Sequence, residues 1–159
     1  MGLLKDSASD VIREDMILLQ TNFQTRDDAL RALVQMADKT GLISEKERFL
    51  ESVLNREEEM PTAIGYQIAI PHGKSESVKI PFIGFLQTKE EFIWTEGYEE
   101  QVKLVFLIGV PAENENNIHL KFISQLSKKL LDDEFRMQLL EETNQDNIFK
   151  LLRSIKVAS

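Results

Sequence analysis

One nine-residue segment, residues 102–110, constrains the fold more than any other part of the chain. Its sequence, VKLVFLIGV, contains a single charged residue and is rich in β-branched and aromatic side chains, which favour an extended strand. Side chains of a strand alternate between the two faces of its sheet, so a strand that is apolar throughout must be covered on both faces. The segment therefore predicts an interior strand with helices packed above and below it.

Shorter patterns on either side of this segment predict the remaining elements. Residues 68–70 and 82–86 are apolar and bounded by proline or glycine, which predicts two more strands, and residues 92–94 predict a further short one. Apolar residues recur at helical spacing before residue 60 and after residue 116. Helices are predicted to start at Thr25, at a capping box in residues 44–47, at Asn116 or Asn117, near Glu134, and at Asn144 or Asp146.

Length and composition narrow the class of protein. The chain has 159 residues, a length that suits one domain. Because predicted helices are followed by strands and then by helices again, we predict a single α/β domain over residues 1–159, with its core at about residues 12–155. A net charge of −8 argues against nucleic-acid binding, and the absence of cysteine excludes disulfides and thiolate chemistry. No apolar run is long enough to span a membrane and the first ten residues lack a secretory core, so we expect a cytoplasmic protein.

His72 is one of two histidines and follows a predicted strand directly. It lies between Pro71, which cannot continue a strand ladder, and Gly73, whose lack of a Cβ lets a bulky group approach the backbone. Strand ends in α/β sheets often carry ligand sites. The local pattern alone nevertheless fits an ordinary turn histidine better.

The second histidine, His119, occupies the first turn of a predicted helix. It shares the apolar face of that helix with Phe122, Ile123 and Leu126, where a histidine is most often a core residue. The same position is close to the free N–H groups of the helix N-terminus, which attract anions. His119 is therefore either a core residue or a phosphate ligand.

Several other kinds of site are not supported by the sequence. Gly-Lys-Ser at residues 73–75 resembles the end of a P-loop, but position 68 is isoleucine where that loop needs glycine. Neither a metal-binding histidine motif nor the serine-hydrolase motif G-x-S-x-G occurs. The glutamate runs at residues 57–59 and 99–100 are predicted to lie in solvent. The sequence thus predicts no metal ion, nucleotide or other cofactor.

Five short segments occur in a characteristic order along the chain. They are NRE at 55–57, PTAIG at 61–65, IAIPH at 68–72, VPA at 110–112 and IHL at 118–120. Together they resemble the IIA components of the bacterial phosphoenolpyruvate-dependent sugar phosphotransferase system, of the fructose/mannitol type (EIIA type 2). The resemblance extends over about residues 16–152.

This resemblance implies both a fold and a set of roles. The family fold is a mixed β-sheet flanked by helices, in agreement with the α/β domain predicted above. By similarity, His72 accepts a phosphoryl group from the small carrier HPr and passes it to a IIB component, which phosphorylates sugar at the membrane permease. Arg56 and His119 are then expected to stabilise the phosphate. An imidazole suits this role because its pKa of ~6.5 leaves much of it neutral near pH 7.

Some features separate the chain from the usual family pattern. Tyr66 and Gln67 replace the small or polar residues commonly found before the strand, and are expected to alter the edge of the pocket. Residues 74–75 and 78–81 slightly favour a fructose-type relative.

A regulatory, nitrogen-type IIA-like protein that signals by its phosphorylation state would use the same His72. An α/β binding domain without phosphoryl chemistry is a third possibility.

Overall fold

The apolar segment predicted to be interior lies at the centre of a six-stranded sheet in the computed structural model, which describes residues 11–113 and 117–155. The strands are β1 (Ile12–Thr21), β2 (Ala63–Gly65), β3 (Ile68–Ala69), β4 (His72–Ser75), β5 (Phe82–Ile93) and β6 (Gln101–Pro111). The helices are α1 (Arg26–Lys39), α2 (Lys46–Glu59), α3 (Ile118–Lys129), α4 (Asp133–Glu141) and α5 (Gln145–Arg153). No helix within the described ranges is long and apolar enough to cross a bilayer.

The sheet is mixed, and β6 organises it. Its strand order is β1-β5-β6-β3-β2, and β4 also pairs with β6. Strand β6 is antiparallel to β5 and parallel to both β3 and β4, so β3 and β4 follow one another along the same side of β6. Between them, the carbonyl of Pro71 accepts a hydrogen bond from the Ile108 N–H at 3.0 Å, which keeps the edge aligned across the interruption.

Both faces of β6 are covered by helices, as predicted. From residue 104 to residue 110 its side chains alternate between two separate apolar clusters. Leu104, Phe106, Ile108 and Val110 pack against residues of α3, α4 and α5, whereas Val105 and Leu107 pack against residues of α1 and α2. The predicted α/β fold, a central mixed sheet flanked by helices on both faces, is therefore confirmed.

Several helix starts agree with the sequence prediction, and one does not. The Thr25 hydroxyl accepts a hydrogen bond from the Asp28 N–H at 3.2 Å, and Asn144 Oδ1 accepts one from the Asn147 N–H at 3.0 Å. The capping box at residues 44–47 is wrong, because α2 begins after Glu45 and that residue makes no side-chain cap bond. The Ser44 hydroxyl is instead directed to the carbonyl of Ser77, at 3.3 Å.

The separate short strand predicted at residues 92–94 is also wrong. Phe92 and Ile93 are the end of the long strand β5, which continues after a shift in register between Gln87 and Phe92. Trp94 follows the strand and is almost completely buried. The polar residues between the two parts of β5 suggested a break in the sequence, but the backbone pairing with β6 resumes beyond them.

Candidate functional site

His72 is the first residue of β4, an edge strand, and lies opposite Ile108 of β6. Strand β3 ends at Ala69, so the predicted end of the strand before Pro71 is present. His72 nevertheless does not lie in a turn, because pairing with β6 starts again at that residue. The half-buried imidazole is therefore held by an ordered strand rather than by a loop.

The two ring nitrogens of His72 have different partners, which identifies the tautomer. Nδ1 lies 3.1 Å from the carbonyl oxygen of Ile70. A carbonyl oxygen only accepts hydrogen bonds, so Nδ1 carries the proton and donates it. Nε2 then has the lone pair, and it accepts a hydrogen bond from Arg56 Nε at 3.2 Å. The nucleophilic nitrogen of the neutral ring is thus Nε2, next to a guanidinium group.

Arg56 reaches His72 from the last turn of α2, which packs along β4. Besides contacting His72, its guanidinium donates from Nη1 to the carbonyl oxygen of Met60 at 2.9 Å. Met60 is the C-terminal cap residue of the same helix. Two directed hydrogen bonds therefore orient the planar guanidinium at the end of the helix.

The close approach of α2 to β4 depends on Gly73. A Cβ added at this position would lie 2.5 Å from Ser52 Oγ and 2.8 Å from Val53 Cγ2, both on α2. These distances are shorter than van der Waals contact, so a side chain here would push the helix away. The bulky group expected beside this glycine is thus the helix that carries Arg56.

His119 lies in the first turn of α3, and its ring centroid is 5.6 Å from that of His72. Phe122 and Leu126 of the same helix are fully buried in the core, whereas His119 is only half-buried and faces the other histidine. Its Nδ1 atom is buried and has no hydrogen-bond partner among the described residues. A buried polar atom without a partner is costly, which favours a ligand that completes it.

Burial lowers the pKa of both histidines below the ordinary value of 6.5. For His72 the loss of hydration is the main cause; the bond to Ile70 and nearby glutamates oppose it, and the positive charge of Arg56 reinforces it. For His119 burial again dominates, assisted by the charges of His72 and Lys74. The neutral form of both rings therefore predominates at pH 7, and in that form His72 Nε2 is a nucleophile.

An NMR titration checks this assignment directly, because the chain has only two histidines. Both imidazoles are expected to titrate with midpoints below 6.5, so that the neutral form of each ring still predominates at pH 6.5 and half-protonation is reached only at lower pH. The His119→Gln variant assigns the two sets of signals. A His72 midpoint at or above 6.5 would contradict the argument from burial.

The prediction that residues 57–59 lie in solvent is wrong for Glu57, which is only 2% exposed. Its Oε1 accepts hydrogen bonds from Trp94 Nε1 at 3.0 Å and from the Thr62 N–H at 3.2 Å. Its Oε2 accepts a further bond from the Thr62 hydroxyl. The sequence contained a signal for this burial, since Glu57 follows the buried Val53 at helical spacing.

The prediction that Tyr66 and Gln67 shape the pocket edge is not supported by their position. They form the turn between β2 and β3, both with positive φ (56° and 65°), and the Gln67 carbonyl bonds to the N–H of Leu104. Ile108, which pairs with His72, is four residues beyond Leu104 on β6, about 13 Å from it at the usual rise of a strand. The turn thus lies at the other end of this sheet edge.

Comparison with known proteins identifies relatives over almost the whole described chain. Residues 10–155 match the family described as "Phosphoenolpyruvate-dependent sugar phosphotransferase system, EIIA 2". A 2-O-alpha-mannosyl-D-glycerate-specific EIIABC component from Escherichia coli is 35% identical over 87% of this chain. A fructose-specific EIIA component from Haloferax volcanii is 29% identical over 89% of this chain and 91% of its own length. The chain spans only about a fifth of the length of the Escherichia coli relative (21%).

Solved structures share the fold. The nitrogen regulatory protein IIA-Ntr from Neisseria meningitidis has a TM-score of 0.80 at 23% identity, covering 91% of this chain and 97% of its own. Mannitol enzyme IIA from Escherichia coli, solved in complex with phosphorylated enzyme IIB, has a TM-score of 0.76 at 26% identity and covers 90% of this chain and 99% of its own. The first likeness, below 25% identity, concerns the fold alone.

Proposed function

Because the chain belongs to the EIIA 2 family of the phosphoenolpyruvate-dependent sugar phosphotransferase system, we propose that it is a phosphocarrier that uses His72. It accepts a phosphoryl group from phospho-HPr on Nε2 and passes it to a IIB component. The observation that carries this proposal is the contact between His72 Nε2 and Arg56 Nε, 3.2 Å long, with the His119 ring 5.6 Å from the His72 ring. The nucleophilic nitrogen thus has a cation beside it and a second imidazole ring nearby.

The proposed step exchanges one phosphorus–nitrogen bond for another. The lone pair of His72 Nε2 attacks phosphorus in line with the bond to the donor phosphohistidine, and the electron pair of that bond returns to the donor imidazole. The proton on Nδ1 stays hydrogen-bonded to the Ile70 carbonyl throughout, which supports the required tautomer. Such transfers need positioning and charge stabilisation more than any other contribution.

Arg56 and His119 are proposed to bind the phosphoryl oxygens. When phosphorus bonds to Nε2, the hydrogen bond from Arg56 to that nitrogen is lost, and the guanidinium N–H groups become donors to the oxygens instead. Guanidinium and phosphate match in charge and geometry. His119 supplies a second donor when its buried Nδ1, which has no partner among the described residues, carries a proton.

Exposed apolar residues beside the site support a protein as donor and acceptor. Met60, whose carbonyl binds Arg56, is 65% exposed, and Leu120, next to His119, is 56% exposed. Apolar side chains at the surface around a reactive group are typical of protein–protein contacts. HPr and a IIB component are therefore proposed to dock over the same face, one after the other, in the cytoplasm.

The sugar is proposed to be of the fructose type, since a fructose-specific EIIA component is among the relatives. The match extends over 91% of the length of that relative. A regulatory role in the manner of nitrogen-type IIA proteins would use the same His72. The two roles differ in whether a IIB component receives the phosphoryl group.

Reconstitution tests the proposal. Purified chain incubated with Enzyme I, HPr and labelled phosphoenolpyruvate is expected to acquire one acid-labile label, and to lose it when a fructose-type IIB domain is added. Omission of HPr serves as the control and should prevent labelling. Failure to acquire label would overturn the phosphocarrier proposal, whereas label that no IIB domain accepts would favour the regulatory role.

Replacing His119 by alanine is expected to slow transfer in this assay by roughly a hundredfold, the effect of one lost charge-stabilising donor at the lower end of the usual range. The fold should remain, because the side chain is only half-buried and its Nδ1 has no hydrogen-bond partner among the described residues. Thermal unfolding measures the second point. Loss of folding with His119→Ala would instead restore the interpretation of His119 as a core histidine.

A further inference from the structure

Glu57 is a buried carboxylate that forms no ion pair among the described residues. Its three hydrogen bonds come from neutral donors, namely the indole N–H of Trp94 and the N–H and hydroxyl of Thr62. Removing a carboxylate from water without a cation is costly, and an apolar residue at such a position is usually at least as stable. This position is therefore difficult to explain by stability alone.

Glu57 is connected to the guanidinium of Arg56 through the backbone between Thr62 and Met60. Thr62, which Glu57 binds twice, comes two residues after Met60. The carbonyl of Met60 accepts the bond from Arg56 Nη1 at 2.9 Å, and Arg56 Nε donates to His72 Nε2 at 3.2 Å. The position of the Met60 carbonyl thus depends on a short segment that is held at its far end by Glu57.

Trp94 and Thr62, the two residues that bind Glu57, are each held by a backbone hydrogen bond. Trp94 is 2% exposed and follows β5, and its backbone N–H bonds to the carbonyl of Glu100 at 3.2 Å. The Thr62 carbonyl accepts a bond from the Ile70 N–H at 3.1 Å, directly before the His72 segment. Glu57 therefore joins the end of α2 to two parts of the sheet, one of which leads into His72.

We propose that Glu57 is a positioning residue for phosphoryl transfer, which through Thr62 holds the Met60 carbonyl that orients Arg56 against His72 Nε2. The inference rests on the proposed function, because it assigns a role within the same site. Glu57 does not touch the reacting atoms. Its negative charge also acts on His72, where it raises the pKa and partly offsets the effect of burial.

Two substitutions separate geometry from charge. In Glu57→Gln the amide oxygen still accepts from Trp94 and from the Thr62 N–H, and the amide NH₂ donates to the Thr62 hydroxyl. All three hydrogen bonds are therefore kept without the negative charge. Thr62→Val removes the hydroxyl contact and leaves the charge. We expect transfer from phospho-HPr to slow by between tenfold and a hundredfold in Thr62→Val, the effect of a small displacement in a positioned site. Glu57→Gln should stay within about threefold of wild type.

The decisive measurement repeats both substitutions in an Arg56→Ala background. If Glu57 and Thr62 act through Arg56, Thr62→Val should cause no further slowing when Arg56 is absent. Equal slowing in both backgrounds, or no slowing in either, would overturn the inference. Glu58→Gln, on the exposed side of the same turn, is the matched control and should leave transfer unchanged.

The outcomes also separate this inference from the function on which it rests. If the wild-type chain takes up no label, the proposed function fails. If it is labelled normally and Thr62→Val is labelled at the same rate, only the role of Glu57 fails. Fluorescence of Trp94, the single tryptophan of the chain, verifies in each variant that the buried contact region is folded.

Discussion

Replacing His72 by alanine is expected to abolish labelling by phospho-HPr, with a fall in rate to the background of the assay. The variant loses the only ring nitrogen that combines a lone pair with a neighbouring guanidinium, the contact from Arg56 Nε at 3.2 Å. No other group is expected to take over, because His119, the only other histidine, receives no hydrogen bond from Arg56, whose guanidinium donates to His72 and to the Met60 carbonyl. The measurement is the initial rate of label uptake with Enzyme I, HPr and labelled phosphoenolpyruvate.

The fold of His72→Ala should be retained, since the side chain is half-buried and β4 is held by backbone pairing with β6. Unfolding monitored by Trp94 fluorescence provides this control. Label uptake at the wild-type rate would show that His72 is not the acceptor. Uptake that disappears only when His119 is also replaced would move the acceptor to His119.

The second large effect is expected for Arg56→Ala, which should slow phosphoryl acceptance by about 10²- to 10³-fold, the usual loss when a charged donor is removed from a transition state. Arg56→Lys should recover only part of this loss, because an ammonium group cannot present the planar pair of donors that a phosphate accepts. The two hydrogen bonds lost, to His72 and to Met60, contribute about 1 kcal/mol each to stability. The fold should therefore survive.

Arg48 on the same helix is the matched control for Arg56. It is exposed and paired with Glu45 and Glu76, and it makes no hydrogen bond to either histidine. Arg48→Ala is expected to leave the rate within about twofold, since exposed ion pairs contribute little. Normal kinetics in Arg56→Ala, or equal slowing in Arg48→Ala, would remove Arg56 from the proposed site and leave only a general effect of positive charge.

Local patterns predicted the main elements correctly where a single physical requirement dominated. An apolar strand needs cover on both faces, and residues 102–110 have it in the two clusters. A threonine before a helical pattern caps the helix, as Thr25 does. Predictions were wrong where a distant residue competed for the same group. Ser44 bonds to Ser77 rather than to its own helix, and Glu57 is covered by Trp94, 37 residues away in the chain.

The features of the site likewise divide into those that the sequence predicted and those that depend on distant residues. The sequence by itself determined that His72 follows a strand and that a helical pattern precedes residue 60, and the family resemblance connected His72 with Arg56 and His119. It did not determine their distances, the tautomer of His72 or the burial of Glu57. These depend on the tertiary structure, because α2 and α3 lie on opposite faces of the sheet and reach His72 only at its edge. Contacts of that kind arise from packing between segments far apart in the chain, which no local spacing encodes.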